Sequence, residues 1–470
     1  MVAERLPSMA DRYSRLRLKL HRKLDEQLDK ALGDVKAGHT PDINEVEKIV
    51  GDVSDELDDE LLSELVKQGI REVEHSDHTE ESVRKVTCGR CGHNAHFRAT
   101  ERRSIVTMRG TARFRRAVYY CRVCNEDIMP ADEALGISQK GYTRAVDLTV
   151  AKMGALDSYG GGKKLLQELT RINISAKQIQ IVSTDVGQWA KGALLKQAAR
   201  ARQDPELVAK QMHRPDVRVC ISADGVHTPM HDGSYKEAKI GRVRVVDKQG
   251  KVLGDSYCHH IGGLPEFGRL LYGMVASVGA AECARTNMVS DGAIGLQRLL
   301  ARLFPHAKLV LDWYHACEHL YEVGRTCWGT VPVGKGKGKL SEKERERRTE
   351  EWIEAARTAM WDGMHEQLMG WLTKLPCQTR EARSAVKRAI GYFKRNRERM
   401  RYAEYRAAGI EIGSGHAEGA CKTLVTERMK GAGMRWKEPG AQAVGTLRAL
   451  YLSNRAWDSI MSTWPGRAAA

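Results

Sequence analysis

The sequence contains no apolar run approaching the ~20 residues that a membrane-spanning helix requires. Its opening stretch, MVAERLPSMADRYSRLRLKLHRKL, has no uninterrupted apolar segment for a signal peptide either. Those absences disfavour a membrane protein and a secreted one, and a cytosolic chain is expected. Acids are short relative to bases: 60 Asp and Glu stand against 76 Lys and Arg, a formal net charge of +16. The acids concentrate in residues 43–82, which contain DVSDELDDELLSEL, so the rest is more basic than the average suggests. Such a surplus fits a polyanion binder, although solvated lysines account for many basic proteins. A disulfide framework is also missing. The 11 cysteines are an odd count, and Cys220, Cys258, Cys283, Cys317, Cys327, Cys377 and Cys421 are scattered singly through apolar segments. They read as buried free thiols in a reducing compartment.

What is present begins with the other four cysteines. Cys88 and Cys91 form CGRCGH, Cys121 and Cys124 form CRVC, and 29 residues separate the pairs. Each Cys-x-x-Cys turn places two thiolates on one metal, and two such turns complete a tetrahedral zinc shell. The intervening FRATERRSIVTMRGTARFRRAVYY carries β-branched and aromatic residues about an Arg-Gly turn and predicts a hairpin. This is the layout of a zinc ribbon. His93 and His96 lie near enough to compete as ligands, but four cysteines already close the shell. Arg98, Arg102, Arg103, Arg109, Arg113, Arg115 and Arg116 make the unit a phosphate-contact candidate, with a solvated basic hairpin as the plain alternative.

At 470 residues the chain exceeds one ordinary core. Residues 1–80 predict a basic helix followed by an acidic one, both at the surface or in an interface. The ribbon occupies 81–131. Residues 132–210 predict a helical, helix-turn-helix-like DNA-binding region: AVDLTVAKMGAL, a Tyr159-Gly-Gly-Gly turn, KKLLQELTRI, and a helix N-capped by Ser175. From 215 to 330 strands dominate. VRVCISAD is a first strand, IGRVRVVD and KVLGDSYCHH form a hairpin about KQGK, and NMVSD is a fourth strand. AIGLQRLLARLF is an amphipathic helix closed by Pro305, and KLVLD is a fifth strand leading into WYHACEHLYEV. A mixed five-stranded α/β sheet follows from this order. Residues 331–408 open with a flexible basic linker, GKGKGKL, and continue as an all-α insertion. Residues 409–470 return to the core: Ser414 is a candidate N-cap, and Ala417, Cys421, Leu424, Val425 and Met429 form a helical apolar stripe.

Three acids stand beside glycines in this framework. Asp224 ends the first strand, Asp291 ends the fourth, and Glu418 falls in the first turn of the helix after the insertion. Acids at strand ends and a helix start can converge at one sheet edge, and packed acids repel unless cations neutralise them. The set is a candidate two-magnesium site. For any one of these acids alone, turn chemistry or helix-dipole compensation would be the better explanation; three in this order favour the site.

The strand order, the three acids and the insertion resemble the ribonuclease-H-like core of DDE transposases. ISADG, YKEAKIG, VSDG, LDWYH and GSGHAEGACKTLVTERMKGAGMRW, with the paired-cysteine ribbon, more specifically resemble the ISKra-type family of bacterial insertion-sequence transposases. The resemblance covers nearly the whole chain past residue 80. It implies that Asp224, Asp291 and Glu418 bind Mg2+ or Mn2+, and that Asp312 and His315 match the [C/D]-x-x-H pair after the fifth strand. It further implies double-stranded DNA partners (transposon ends and target), a homodimer or larger assembly, and a bacterial, nucleoid-associated location. Asp312 rivals Asp291 as the second aspartate. Arg428, Lys430, Arg435 and Trp436 are candidates to grip phosphate and stack on a flipped base. His227, His259, His260, Lys236 and Glu237, near strand ends, are weaker candidates. Two other readings stay open: a nuclease of the same fold, and a non-catalytic DNA-binding protein derived from a transposase.

Overall fold

A basic helix and an acidic helix open the chain, α1 (Met9–Lys36) and α2 (Ile43–Glu74). Their opposite charges pair directly: Lys19 Nζ lies 2.5 Å from Glu60 and 2.8 Å from Glu64, and Lys23 lies 2.8 Å from Glu56. Exposed pairs of this kind contribute at most about 1 kcal/mol each. The computed structural model describes residues 9–36, 40–74, 85–137, 140–204, 217–279, 285–334, 338–375, 377–413, 415–453 and 456–466. Two compact units divide it, one of residues 1–185 with 464–470 and one of residues 186–463.

In the first unit a four-stranded antiparallel sheet follows, in the order β1 (Lys85–Thr87), β2 (Asn94–Thr107), β3 (Gly110–Cys121), β4 (Glu126–Ile128). The expected hairpin is β2–β3, and Gly110 at φ +140° takes its turn at the predicted Arg-Gly. Helix α2 is more than a surface helix. β4 pairs with only residues 119–121 of β3, and α2 caps the rest of that edge with acceptors: Thr111 N–H donates to Asp59 (3.0 Å), Arg113 N–H to Ser63 (3.0 Å) and Ala117 N–H to Glu74 (2.6 Å). A free strand edge is thereby closed to pairing with another chain. Ile70 of α2 is buried with Ile105, Ala112 and Phe114 of the hairpin.

Helices α3 (Pro130–Ala134), α4 (Arg144–Leu156), α5 (Tyr159–Leu169) and α6 (Ala176–Gln203) come next. Ser175 caps α6 as expected, accepting from Gln178 N–H at 3.2 Å. The Tyr159-Gly-Gly-Gly segment is not a turn but the first turn of α5. Ser158 is its N-cap, and a Cβ on Gly161 would sit 2.0 Å from the Asp157 carboxylate. The cap outweighs the low helix propensity of glycine.

The second unit holds the five-stranded mixed sheet, in the order β7-β6-β5-β8-β9. β5 (Arg218–Pro229), β6 (Tyr235–Val246) and β7 (Val252–Ile261) are antiparallel, while β8 (Thr286–Ser290) and β9 (Lys308–Leu311) run parallel to β5. Helix α7 (Leu264–Ser277) connects β7 to β8, and α8 (Ile294–Leu303) connects β8 to β9. The sequence pattern did not predict α7. Its Gly268 and Gly273 break the apolar periodicity, and they do so to admit neighbours: a Cβ there would meet Leu299 at 2.7 Å and Ala198 at 2.6 Å.

Both faces of the sheet are buried, as parallel strands require. Ile221 and Met288 face Phe267, Leu271 and Leu300 on one side; Cys220, Val289 and Val310 face Leu320, Phe393 and Tyr402 on the other. Each such apolar side chain contributes about 1.5–3 kcal/mol on burial. The second layer comes from α9 (Trp313–Cys327) and the expected all-α insertion, α10 (Glu342–Trp361), α11 (His365–Thr373), α12 (Arg380–Asn396) and α13 (Tyr402–Ala407). Three of the seven residues of the predicted basic linker, 335–337, lie outside the described residues. Helices α14 (Gly415–Cys421), α15 (Glu427–Met429), α16 (Glu438–Leu452) and α17 (Ala456–Met461) complete the unit. Among the described residues no helix is long and apolar enough to cross a membrane.

Candidate functional sites

The ribbon cysteines converge. Cys88 and Cys91 flank the turn between β1 and β2, Cys121 ends β3 and Cys124 lies in the turn into β4. The four sulfurs all lie within 4.8 Å of one another, with Cys88 to Cys124 at 3.8 Å and Cys91 to Cys121 at 3.6 Å. A tetrahedral zinc with Zn–S bonds of about 2.3 Å needs sulfurs about 3.8 Å apart, so the cluster has the spacing of a structural metal site. Backbone N–H groups of Cys91 and Arg90 pull the Cys88 thiol down to about 7, while the Cys91 sulfur beside Cys124 and desolvation push Cys124 up to about 12. Four thiolates at this range repel, and a dication removes that conflict. His93 and His96 are exposed and stand outside the cluster; His93 Nδ1 pairs with the Cys91 carbonyl at 3.1 Å.

The acids gather at one edge of the five-stranded sheet. Asp224 does not end its strand, because β6 pairs with β5 as far as Pro229; it stands where the parallel pairing stops, at Ala223 opposite Ser290. Asp291 is the next residue after Ser290. Its Oδ1 accepts from Ala293 N–H at 3.1 Å. Gly292 has a steric reason: a Cβ there would lie 2.2 Å from the buried Tyr392 ring. Burial raises the Asp224 carboxyl above its ordinary range, and the charges of Asp291 and Asp312 raise it further, against the Gly225 N–H (2.7 Å) and His315, which lower it.

Asp312 is fully buried after β9, one strand farther from β5 than Asp291. Both its oxygens are engaged: Oδ1 accepts from Tyr314 N–H at 2.9 Å as the N-cap of α9, and Oδ2 meets His315 Nδ1 at 2.7 Å. That bond, opposed by desolvation, raises His315 to about 9, with Asp224 among the smaller charges that also raise it. An imidazolium therefore sits among the aspartates at neutral pH.

Glu418 is exposed in the first turn of α14, which packs on β5 and β6. Cys421, one turn on, is buried with Sγ 3.8 Å from Asp224 Oδ2. Burial, Asp224 and, less strongly, Glu418 all raise this thiol, so the two acids flank it. The sequence predicts Cys421 as a buried free thiol in a helical apolar stripe, and that stripe gives no sign of the contact. Immediately after it the helix widens into a π-turn (Lys422–Thr426), whose Leu424 carbonyl accepts from buried Arg448 at 2.9 Å. Ser414, the expected cap, lies outside the described residues, as do Cys283 and the side chain of Ala417. Among the described residues the ribbon cysteines are the one group of three or more ligand-type side chains within 4.8 Å, so Asp224, Asp291 and Glu418 are spread wider than a single closed shell. Acids that bracket two cations about 4 Å apart span more than one shell.

The four expected DNA contacts divide. Lys430 and Arg435 are exposed. Arg428 and Trp436 are buried, with the guanidinium 5.2 Å from the indole centroid and Trp436 Nε1 donating to the Met429 carbonyl at 2.9 Å. Trp436 also bridges to Met230, and its carbonyl accepts from His231 N–H at 2.9 Å. It is a packing residue here, not an exposed stacking platform. Of the weaker candidates, Lys236 pairs with Glu438 and Glu237 with Lys239, while His227 is exposed. His259 and His260 are buried beside Gln442, and burial lowers His259 to about 3. No protein-family model matches the chain, and no curated protein is significantly similar to it.

Proposed function

We propose that this chain is a DDE transposase of ribonuclease-H-like fold that binds the ends of an insertion sequence and carries out metal-dependent DNA cleavage and strand transfer. The observation that carries the reading is that Asp224 and Asp291 follow the last residues paired between parallel β5 and β8, with the Glu418 helix, which comes after an all-α insertion, packed on β5 and β6. The strand order, with three antiparallel strands and two parallel ones beside the first, is what the family resemblance leads one to expect. Hard carboxylate oxygens suit Mg2+ or Mn2+. Asp224, Asp291 and Glu418 would hold the ions. Bound there, two divalent cations supply activation of the attacking oxygen and stabilisation of the leaving one in an in-line displacement.

The chain's own residues have distinct parts. Asp291 is the second aspartate, because it follows Ser290, which pairs with Ala223 beside Asp224, and neither of its oxygens is tied to the α9 cap or to His315, whereas both oxygens of Asp312 are. Asp312 orients and charges His315, which presents a cation near Asp224 where a phosphodiester would arrive. The ribbon, the helical region and the exposed hairpin arginines Arg102, Arg109, Arg113 and Arg115 provide end recognition, a role that a general nuclease of this fold would not need; Arg98 is instead paired with Asp127, and Arg103 and Arg116 with Asp132. Persistence of all three acids argues against a non-catalytic derivative. Synapsis of two ends calls for a homodimer or larger assembly.

The test is a supercoiled plasmid carrying the DNA that flanks this gene, incubated with the full chain and Mg2+. Cleavage mapping to the ends of flanking inverted repeats is expected. Cleavage at random sites, or none with Mg2+ or Mn2+, would reject the reading.

A further inference from the structure

The five-stranded sheet has a second, opposite end, and its chemistry is the reverse of the first. Arg218 begins β5, Lys308 begins β9, Arg285 precedes β8, and Arg244 lies near the end of antiparallel β6, opposite Cys220 in the register. With His306 they line a cavity of about 410 Å3, walled on its far side by Gly409–Glu411. Four permanent cations face one carboxylate, Glu411.

We propose that this cavity is an anion site for a phosphate-bearing ligand of about nucleotide size. Its volume is in the range of small-molecule sites, and too small for a duplex to enter. Guanidinium groups are the side chains best shaped for bidentate phosphate binding.

The cations are unevenly committed. Arg244 lies 3.4 Å from Glu411 and Arg218 donates to the Gly409 carbonyl, so these two are held by the wall. Arg285 and Lys308 have no ion pair among the described residues; Lys308 lies 5.3 Å from the Tyr405 ring centroid. Buried Asn287 adds an amide that donates to Cys220 Sγ at 3.4 Å and lies 3.4 Å from the Glu411 carbonyl, the latter a long contact that can be re-aimed at a ligand. A phosphate entering here gains two cations that hold no carboxylate among the described residues and competes with Glu411 for Arg244. The shared chemistry is a phosphate monoester, from a free nucleotide or from the 5′ end of a single strand.

Calorimetric titration of the full chain tests this with AMP, with adenosine, and with a short single strand carrying or lacking a 5′-phosphate. AMP or the phosphorylated strand should bind, and adenosine should not. Arg285→Glu and Lys308→Glu, both exposed substitutions checked for folding by circular dichroism, should each weaken phosphate binding at least tenfold. Phosphate-dependent binding by AMP alone identifies the free nucleotide; binding by the 5′-phosphorylated strand alone identifies a strand end. Either supports the site. No phosphate-dependent binding, or equal affinity in both variants, overturns it. The readout is binding, so it is independent of whether the acidic end cleaves DNA.

Discussion

His315 Nδ1 lies 2.7 Å from Asp312 Oδ2, and the other oxygen of the same carboxylate caps the helix that carries the histidine. One buried acid thus fixes both the position and the charge of an imidazole at the edge where Asp224 stands. His315 is raised from 6.5 to about 9 in the folded state. A raised pKa stabilises the fold fully below the unfolded value, and that contribution is lost as pH rises from about 6.5 through about 9. With the ring 38% exposed, screening limits the effect to roughly 1–2 kcal/mol. Asp312→Asn should drop the His315 pKa toward 6.5 in an imidazole NMR titration. A His315 pKa near 6.5 in both proteins would contradict the pairing.

The four-cysteine cluster should need a bound metal to fold the ribbon, and stripping that metal should unfold the ribbon while sparing the five-stranded unit. One zinc per chain is expected by elemental analysis. Chelation, or Cys88→Ser with Cys121→Ser, should release it and expose the β2–β3 amides to exchange, because binding free energy at such a site is folding free energy. A protein that retains ribbon protection with no bound metal would show that the cluster is only a set of thiols.

Gly292→Ala should lower stability by about 1–3 kcal/mol, since its new methyl would overlap the Tyr392 ring at 2.2 Å and something must shift. The shift falls on the residue after Asp291, so cleavage should fall with stability. Tyr392→Leu in the same chain should relieve the clash and restore part of both; failure of the double variant to recover either would refute the steric assignment.

The basic segment after the Glu418 helix should separate into two behaviours. Trp436→Ala removes a buried indole and should cost about 3 kcal/mol in thermal or denaturant unfolding. Arg435→Glu, at an exposed position, should leave the melting temperature within about 1 °C yet weaken DNA binding and reduce its salt dependence. The opposite pattern would return Trp436 to the DNA surface.

Local chemistry was legible in the sequence, and tertiary pairing was not. Two Cys-x-x-Cys pairs around a hairpin predict four convergent sulfurs because knuckle and strand spacing alone set their geometry. All five strands of the main sheet could be read from apolar runs. The run through Asp224 carried no signal for its continuation to Pro229, which depends on β6 beginning at Tyr235, inside the motif YKEAKIG. Helix α7 escaped because glycines chosen for close packing look like helix breakers. The burial of Trp436 depends on the end of β5 passing beside it, at Pro229 and the following Met230, some two hundred residues earlier in the chain, and Arg428 packs on its indole. The grounds for proposing Asp291 over Asp312 likewise lie in strand order, because both acids follow an apolar run.

The central claim is that Asp224, Asp291 and Glu418 form one metal-dependent cleavage centre, with Asp312 in support. Single-turnover cleavage of flanking-repeat DNA in Mg2+ measures it directly, using Asp224→Asn, Asp291→Asn, Glu418→Gln and Asp312→Asn, with DNA binding followed in parallel. The first three should lose at least a thousandfold in cleavage while binding DNA within about threefold of the parent. Asp312→Asn should lose less and shift the pH profile toward the ordinary histidine range. Full cleavage by Asp291→Asn together with abolition by Asp312→Asn would reassign the second aspartate. Full cleavage by all of the first three variants would contradict the account.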